Sequence, residues 1–279
     1  INVFEAADLR LPEQKKIATV LLKIQRAIET QEKIIQSLRD LKKSTMQHLF
    51  TYGLRGEKTK MTEIGEIPES WEVVPLEKMY QITKKPRETT YTEFESIAFI
   101  PMECIPSFEL FINEWRMKSP DQLTSGTYFE AGDLLLSKIT PCFENGKQGI
   151  AKGIPNGFGI ATTEVIPIKC LSGVSNIVFL SFYLQNVQVR LAIAGKMEGA
   201  TGRQRVPVHL IRNWPIPFPA TLKEQIDIAN MLLSLDNKVS WHHTKKAALQ
   251  SLFKTTLNKL MTGDIRVADL DIDVKEVEV

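Results

Sequence analysis

Two stretches of the chain carry apolar residues at three- and four-residue steps, and the stretch between them does not. From 11 to 55, Ile17, Val20, Leu21, Ile24, Ala27, Ile28, Ile34, Ile35, Leu38, Leu41 and Leu49 recur at helical spacing with charges between them. Proline occurs there only at the start, as Pro12, where a helix tolerates it. A stripe sustained over about 40 residues predicts a helix roughly 60 Å long at 1.5 Å per residue. Heptad steps along it (Val20, Ile24, Ala27, Gln31, Ile34, Leu38, Leu41, Thr45) call for a partner helix. From 221 to 262, Ile228, Leu232, Leu235, Val239, Leu249, Leu252 and Leu260 predict a second long helix. Its middle carries His242, His243, Lys245 and Lys246, so pairing there is expected to be wetter.

The two stretches are copies. At an offset of 211 residues, LPEQKKIATVLL (11–22) falls on LKEQIDIANMLL (222–233), and the match runs without gaps to Arg55 and Arg266. Fourteen of the 45 positions are identical, where roughly three would coincide by chance at ordinary residue usage. Because roughly 160 residues separate the copies, a tight hairpin is excluded. The intervening domain must bring its own ends together, which predicts an antiparallel helix pair emerging from it.

Between 66 and 220 the period changes. Short apolar runs (WEVVPL, SIAFIPM, DLLLSKI, GIAKGI, ATTEVIPIK, WPIPF) alternate with Gly, Pro and Asn turns, as strands do. One helix is expected near 177–194, which makes the class α+β: a strand-rich globular domain plus two long antiparallel, coiled-coil-like helices. Pro68 and the cluster Pro215, Pro217 and Pro219 mark the domain limits. The expected division is a lead-in (1–10), first helix (11–55), strand-rich middle domain (66–220), second helix (221–262) and acidic tail (263–279).

Composition adds little by itself, since 35 Lys+Arg stand against 33 Asp+Glu. Distribution adds more. Residues 68–137 hold six bases and twelve acids, net −6, whereas 138–212 hold nine bases and three acids, net +6. Several of those bases sit in glycine-rich, turn-like stretches, KITPCFENGKQG (138–149) and GKMEGATGRQR (195–205), where backbone can approach phosphate and side chains can reach a groove. Arg and Lys suit guanine edges, and Gln and Asn suit adenine. The candidate DNA-contacting residues are therefore Lys138, Lys147, Gln148, Lys196, Thr201, Arg203, Gln204 and Arg205, with 203–205 foremost.

Catalytic signatures are missing from the sequence. It has no GxxxxGK[ST] loop, no GxGxxG after a strand, no amino-methyltransferase Asn/Asp-Pro-Pro-aromatic motif and no GxSxG. His48, His209, His242 and His243 lack metal-ligand spacing, and Cys104, Cys142 and Cys170 form no CxxC pair, which fits free thiols in a reducing cytoplasm. No run of about 18 apolar residues points to a membrane. Neither a catalytic nor a metal site is expected in this chain.

The paired openings LPEQKKIA and LKEQIDIA, the second preceded by NWPIPFPA, resemble the entry into the conserved helices of the specificity (S) subunits of type I restriction–modification enzymes. IPESWEVVPL, GDLLLSKITPCFENGKQGIA, NGFGIATTEVIPI and GATGRQRVPVHLIRNWPIPFP are similar to that family's target recognition domains. The resemblance covers nearly the whole chain. It implies a non-enzymatic reader of one half of an interrupted DNA site, with the helices as spacer and docking surface. It also implies partner modification subunits that carry S-adenosylmethionine, and restriction subunits that add cutting. With only ten residues before the first helix, the chain resembles a half subunit, either a natural short form or the second half of a longer chain; a half subunit is expected to homodimerise through its helices. Ile17, Leu21, Ile24, Ile28, Ile35, Leu38, Leu232, Leu249 and Leu252 are the expected packing residues. A coiled-coil scaffold whose middle domain binds protein, its basic loops incidental, is the alternative from another class.

Overall fold

The computed structural model describes residues 10–107, 109–200 and 202–274. In chain order its elements are α1 (Leu11–Tyr52), β1 (Thr59–Thr62), β2 (Gly65–Pro68), β3 (Glu72–Pro75), β4 (Tyr80–Ile82), β5 (Ile97–Ile100), β6 (Phe111–Ile112), β7 (Arg116–Lys118), β8 (Thr127–Glu130), β9 (Leu134–Ser137), β10 (Gln148–Ala151), β11 (Phe158–Ala161), β12 (Val165–Cys170), α2 (Ile177–Gln185), α3 (Val187–Ala194), α4 (Val208–Arg212), β13 (Pro215–Phe218) and α5 (Leu222–Met261). The α+β class holds, and each apolar run singled out above contains a strand. The expected helix at 177–194 is instead two. The chain breaks at Asn186, whose side chain accepts a hydrogen bond from Gln188 N (2.9 Å) and so starts α3 afresh.

The chain divides into two compact units, one formed by 43–236 and one by 1–42 with 237–279. In the first, a five-stranded sheet of order β4-β12-β9-β10-β6 and a four-stranded sheet of order β7-β5-β11-β8 carry the core. The run Leu134-Leu135-Leu136 shows why these strands read as continuously apolar. Leu134 and Leu136 pack with Phe179, Phe182 and Trp71, whereas Leu135, on the opposite face, packs with Ala98, Ile100, Phe129 and Ala161. In β5 the second sheet alternates likewise: Ala98 and Ile100 face that shared core, and Ile97 faces an outer cluster around Phe158. The last turns of α1 and the first of α5 belong to this unit. Phe50 lies 5.2 Å from Phe179 and 5.6 Å from Tyr183 between ring centroids, and Ile228, Ala229 and Leu232 join the same core. Leu232 thus packs inside the domain and is not a residue for pairing long helices, because the opening turns of α5 face the sheet layer.

In the second unit α1 and α5 run antiparallel. Glu13 receives Arg266, Glu32 pairs with Lys246 (2.7 Å), and Gln31 lies 2.8 Å from His242 Nδ1. Gln31 and His242 are the same position in the two copies, and repeat-related residues of an antiparallel pair can meet only at its midpoint. Ile17, Ile28, Gln31 and Ile35 are buried and Leu21, Ile24 and Leu38 half-buried, a 4-3 stripe that shares Ile24, Gln31 and Leu38 with the expected heptad steps but runs through Ile17, Leu21, Ile28 and Ile35 in place of Val20, Ala27, Ile34 and Leu41. Leu249 is half-buried, but Leu252 and its copy Leu41 are each 50% exposed. Both lie off the stripe, so Leu252 is not a packing residue within the chain. Among the described residues no single helix is long and apolar enough to cross a membrane.

Candidate nucleic-acid interface

Strand direction gathers the candidate loops at one sheet edge. β9 and β4 both run antiparallel to β12, with Ser137 opposite Val165 and Ile82 opposite Ile168. Their C-terminal ends therefore lie where β12 begins. β10 starts at the same edge, since Gln148 pairs with Leu136. Segments 83–96, 138–147 and 162–164 all leave or enter there. The glycine-rich segment 198–206 is stitched onto them. Thr140 N donates to Gln204 O (3.0 Å), Val206 N to Lys138 O (2.7 Å), and Glu198 and Arg205 exchange backbone hydrogen bonds. The two basic loops inferred separately from sequence are thus one surface.

Glycine is required where this surface turns. Gly199 has φ +123°, and a Cβ there would stand 2.9 Å from Arg203 O. Gly146 has φ +80° and leaves no free room beside Ser107 O and Arg190. The 138–147 loop is closed at its base by Ser137 Oγ donating to Lys147 O (2.6 Å) and plugged by buried Phe143. Thr140–Pro141 is a cis peptide.

The candidate side chains separate into three groups. Arg203 is exposed, and among the described residues its side chain makes no hydrogen bond or ion pair; Lys138, half-buried, likewise. Lys196 is exposed with its ammonium 5.3 Å from the Trp214 ring centroid, and Gln204 is half-buried. Arg205 is engaged: Nε and Nη2 each donate to one oxygen of Glu164 at 2.9 Å. That guanidinium holds the Glu164 carboxyl below its ordinary value. Lys147 is a third case, its ammonium donating to Met102 O (2.8 Å) and Ile105 O (3.0 Å) and so tying down the neighbouring segment. Thr201 lies outside the described residues.

Gln148 is a correction. It is 1% exposed, its Nε2 donates to Ser181 O (2.8 Å) and Oγ (3.0 Å), and its Oε1 accepts from Arg190 Nη2 (3.2 Å). A side chain satisfied at both ends in the core cannot read a base. Arg190, one of the nine bases of the positive half, is also withdrawn. It is 7% exposed and donates to Phe143 O and Leu184 O (both 2.9 Å), so it clamps the loop from behind. Burial pulls its guanidinium down to about 10, which leaves it cationic at neutral pH.

Two features of the surface are not evident from the sequence. The basic run Lys84, Lys85 and Arg87, all exposed, leaves β4 at this same edge although it belongs to the net-acidic half. Topology, not composition, brings it there. Glu164 is the other, one of only three acids among 138–212; an isolated acid in a basic stretch is the signal that marks it.

The repeated Glu-Gln also acquires a purpose. Glu224 accepts from Trp71 Nε1 (3.2 Å), and Gln225, fully buried, accepts from Asn176 N (3.0 Å) and donates to Val174 O (3.2 Å). Glu13, the copy of Glu224, accepts from Arg266 Nε (2.9 Å) and Nη2 (2.7 Å) and from Val267 N (3.2 Å). Each helix start holds the segment that follows the other helix's end.

Known proteins resemble this chain in sequence and in fold. The sequence profile of the type I restriction modification DNA specificity domain matches residues 68–251. The EcoEI specificity subunit of Escherichia coli is 35% identical over 160 residues, covering 57% of this chain and 27% of that protein. The MjaVIII specificity subunit of Methanocaldococcus jannaschii is 29% identical over 287 residues, covering 97% of this chain and 65% of that one. The HsdS subunit from Thermoanaerobacter tengcongensis shares the fold, with a TM-score of 0.54 at 16% identity over 90% of this chain and 57% of that one. The chain spans less than two thirds of the length of each of these relatives. A profile match over residues 68–251, more than half of the chain, places the chain in the type I restriction–modification DNA specificity family.

Proposed function

We propose that this chain is a sequence-specific, non-catalytic DNA-recognition module that reads one half of an interrupted site within a type I restriction–modification complex. The observation that carries the reading is the sheet edge at which hydrogen bonds join the segments bearing Lys138, Arg203 and Arg205 into one surface shaped by glycine. Arg203, whose side chain makes no ion pair among the described residues, suits phosphate, which positions a protein on duplex DNA, and the adjoining polar side chains suit base edges. The helix pair serves as spacer and as docking surface for modification subunits, which bring S-adenosylmethionine; restriction subunits complete the assembly. Exposed Leu41, Trp241 and Leu252 on the helices support a docking role. Two copies joined through the helices present two identical domains, so the site is an interrupted inverted repeat.

Binding of the full chain to mixed duplex DNA, followed across a salt series, tests the core of this reading. The expected result is affinity that falls steeply with salt and drops at least tenfold in the Arg203→Ala/Arg205→Ala double variant, with a slope shallower by roughly 0.9 for each phosphate that is no longer neutralised. Salt-insensitive binding, or none, contradicts it.

A further inference from the structure

We infer that Arg205 reads a guanine in the recognised half-site and that Glu164 is the positioning residue that makes it a base reader rather than a phosphate contact. The inference rests on the DNA-recognition reading above and deepens it. Arg205 commits its Nε and one Nη2 hydrogen to the two oxygens of Glu164. Among the described residues Nη1 has no partner. What remains is the Nη1–Nη2 end of the fork: two parallel donors on a side chain that is 51% exposed, whereas Glu164 beneath it is 22% exposed.

Two parallel donors fit one base edge. Guanine offers N7 and O6 side by side in the major groove; adenine puts an amino donor beside N7, cytosine offers an amino donor, and thymine a single carbonyl. The electrostatics separate base from backbone. The Arg205–Glu164 pair is formally neutral, so the carboxylate offsets much of the attraction that the guanidinium would otherwise exert on a phosphate at the free edge. A guanine edge is itself uncharged and is held by the two parallel donors rather than by net charge. Arg203, whose side chain makes no ion pair among the described residues, is the phosphate type by the same reasoning.

Backbone contacts keep the reader in place. Glu164 O accepts from Lys138 N (2.9 Å), and Arg205 is locked by its paired hydrogen bonds to Glu198 (2.9 and 2.8 Å). The fork and its buttress come from segments 41 residues apart, so the geometry belongs to the fold and not to one flexible loop.

The test selects a pool of randomised duplex DNA with the full chain and with the Arg205→Lys, Arg205→Ala and Glu164→Gln variants, sequences the bound fraction, and measures each protein on unselected duplex. In the wild-type motif one G·C pair is expected to become degenerate in Arg205→Ala while the other positions persist, with discrimination at that pair reduced roughly tenfold or more, and to weaken in Arg205→Lys, whose ammonium cannot hold both Glu164 oxygens and both guanine acceptors. Glu164→Gln is expected to weaken the same pair's preference and, having lost a negative charge, to bind unselected duplex more tightly. Binding of unselected duplex also shows that each variant is folded. An Arg205→Ala protein that loses affinity equally for all sequences while keeping every motif position makes Arg205 a phosphate contact and overturns the inference. So does degeneracy at an A·T pair, or a Glu164→Gln protein whose motif and unselected binding are both unchanged. A wild-type chain that selects no motif refutes the DNA-recognition reading itself.

Discussion

Gln148 and Arg203 stand in similar basic, glycine-containing stretches, yet one is core and the other surface. The difference lies in strand register. Gln148 opens β10 opposite Leu136, in a strand buried along its whole length, so its amide must be satisfied internally. Replacing Gln148 with Ala leaves Arg190 and Ser181 without their shared partner. Removing one member of a buried hydrogen-bonded set costs about 1–3 kcal/mol, and chemical denaturation of the full chain is expected to show a loss of that size. An Arg203→Ala chain, measured alongside, is expected to keep its stability and lose DNA affinity. A Gln148→Ala protein of unchanged stability would show that the network contributes nothing. At this scale the residue types of the site were legible and their exposure was not, because Gln, Lys and Arg are chemically suited both to reading DNA and to bracing a loop from behind. Arg190 illustrates the second use. Glu164 illustrates the converse: an acid that charge counting set against DNA binding holds the arginine most suited to it.

At the scale of elements the repeat was the most legible feature, since fourteen matched positions needed no structure to be seen. Its reason was not legible. Glu13 and Glu224 each grip the chain beyond the opposite helix, one through Arg266 and Val267, the other through Trp71. Neither partner can be guessed from spacing, since each lies far along the chain. The break at Asn186 was equally hidden: 177–194 is apolar enough for one helix, and only the capping hydrogen bond to Gln188 N divides it. The Glu13 contact has a pH sign. The Arg266 guanidinium holds the Glu13 carboxyl below its ordinary value of 4.5. A carboxyl so lowered contributes stability above its unfolded value and loses it as pH falls through the folded value. In native-state hydrogen exchange, the Val267 amide, which donates to Glu13, is expected to be protected at neutral pH. That protection should vanish in Glu13→Ala and decline as the solution is acidified below about 4.5. Protection of Val267 that survives both changes would mean that another contact closes this end of the helix pair.

For the whole molecule, the α+β class, the single domain between two helices and their antiparallel course followed from periodicity, the repeat and the 160 or so residues separating the copies. The shared edge of the candidate loops did not, because strand order β4-β12-β9-β10-β6 is non-sequential and brings the end of β4 to the same edge as the end of β9, with β12 between them, from the far side of the charge boundary. In the proposed reading, one domain on one helix pair reads half of an interrupted site and a second copy supplies the other half by symmetry. The measurement that bears most directly on this account is the methylome of a host carrying this chain together with its modification subunit. The account predicts adenine methylation at an interrupted palindrome that appears with the chain and disappears in its Arg203→Ala/Arg205→Ala variant; a methylome in which no motif depends on this chain would contradict it.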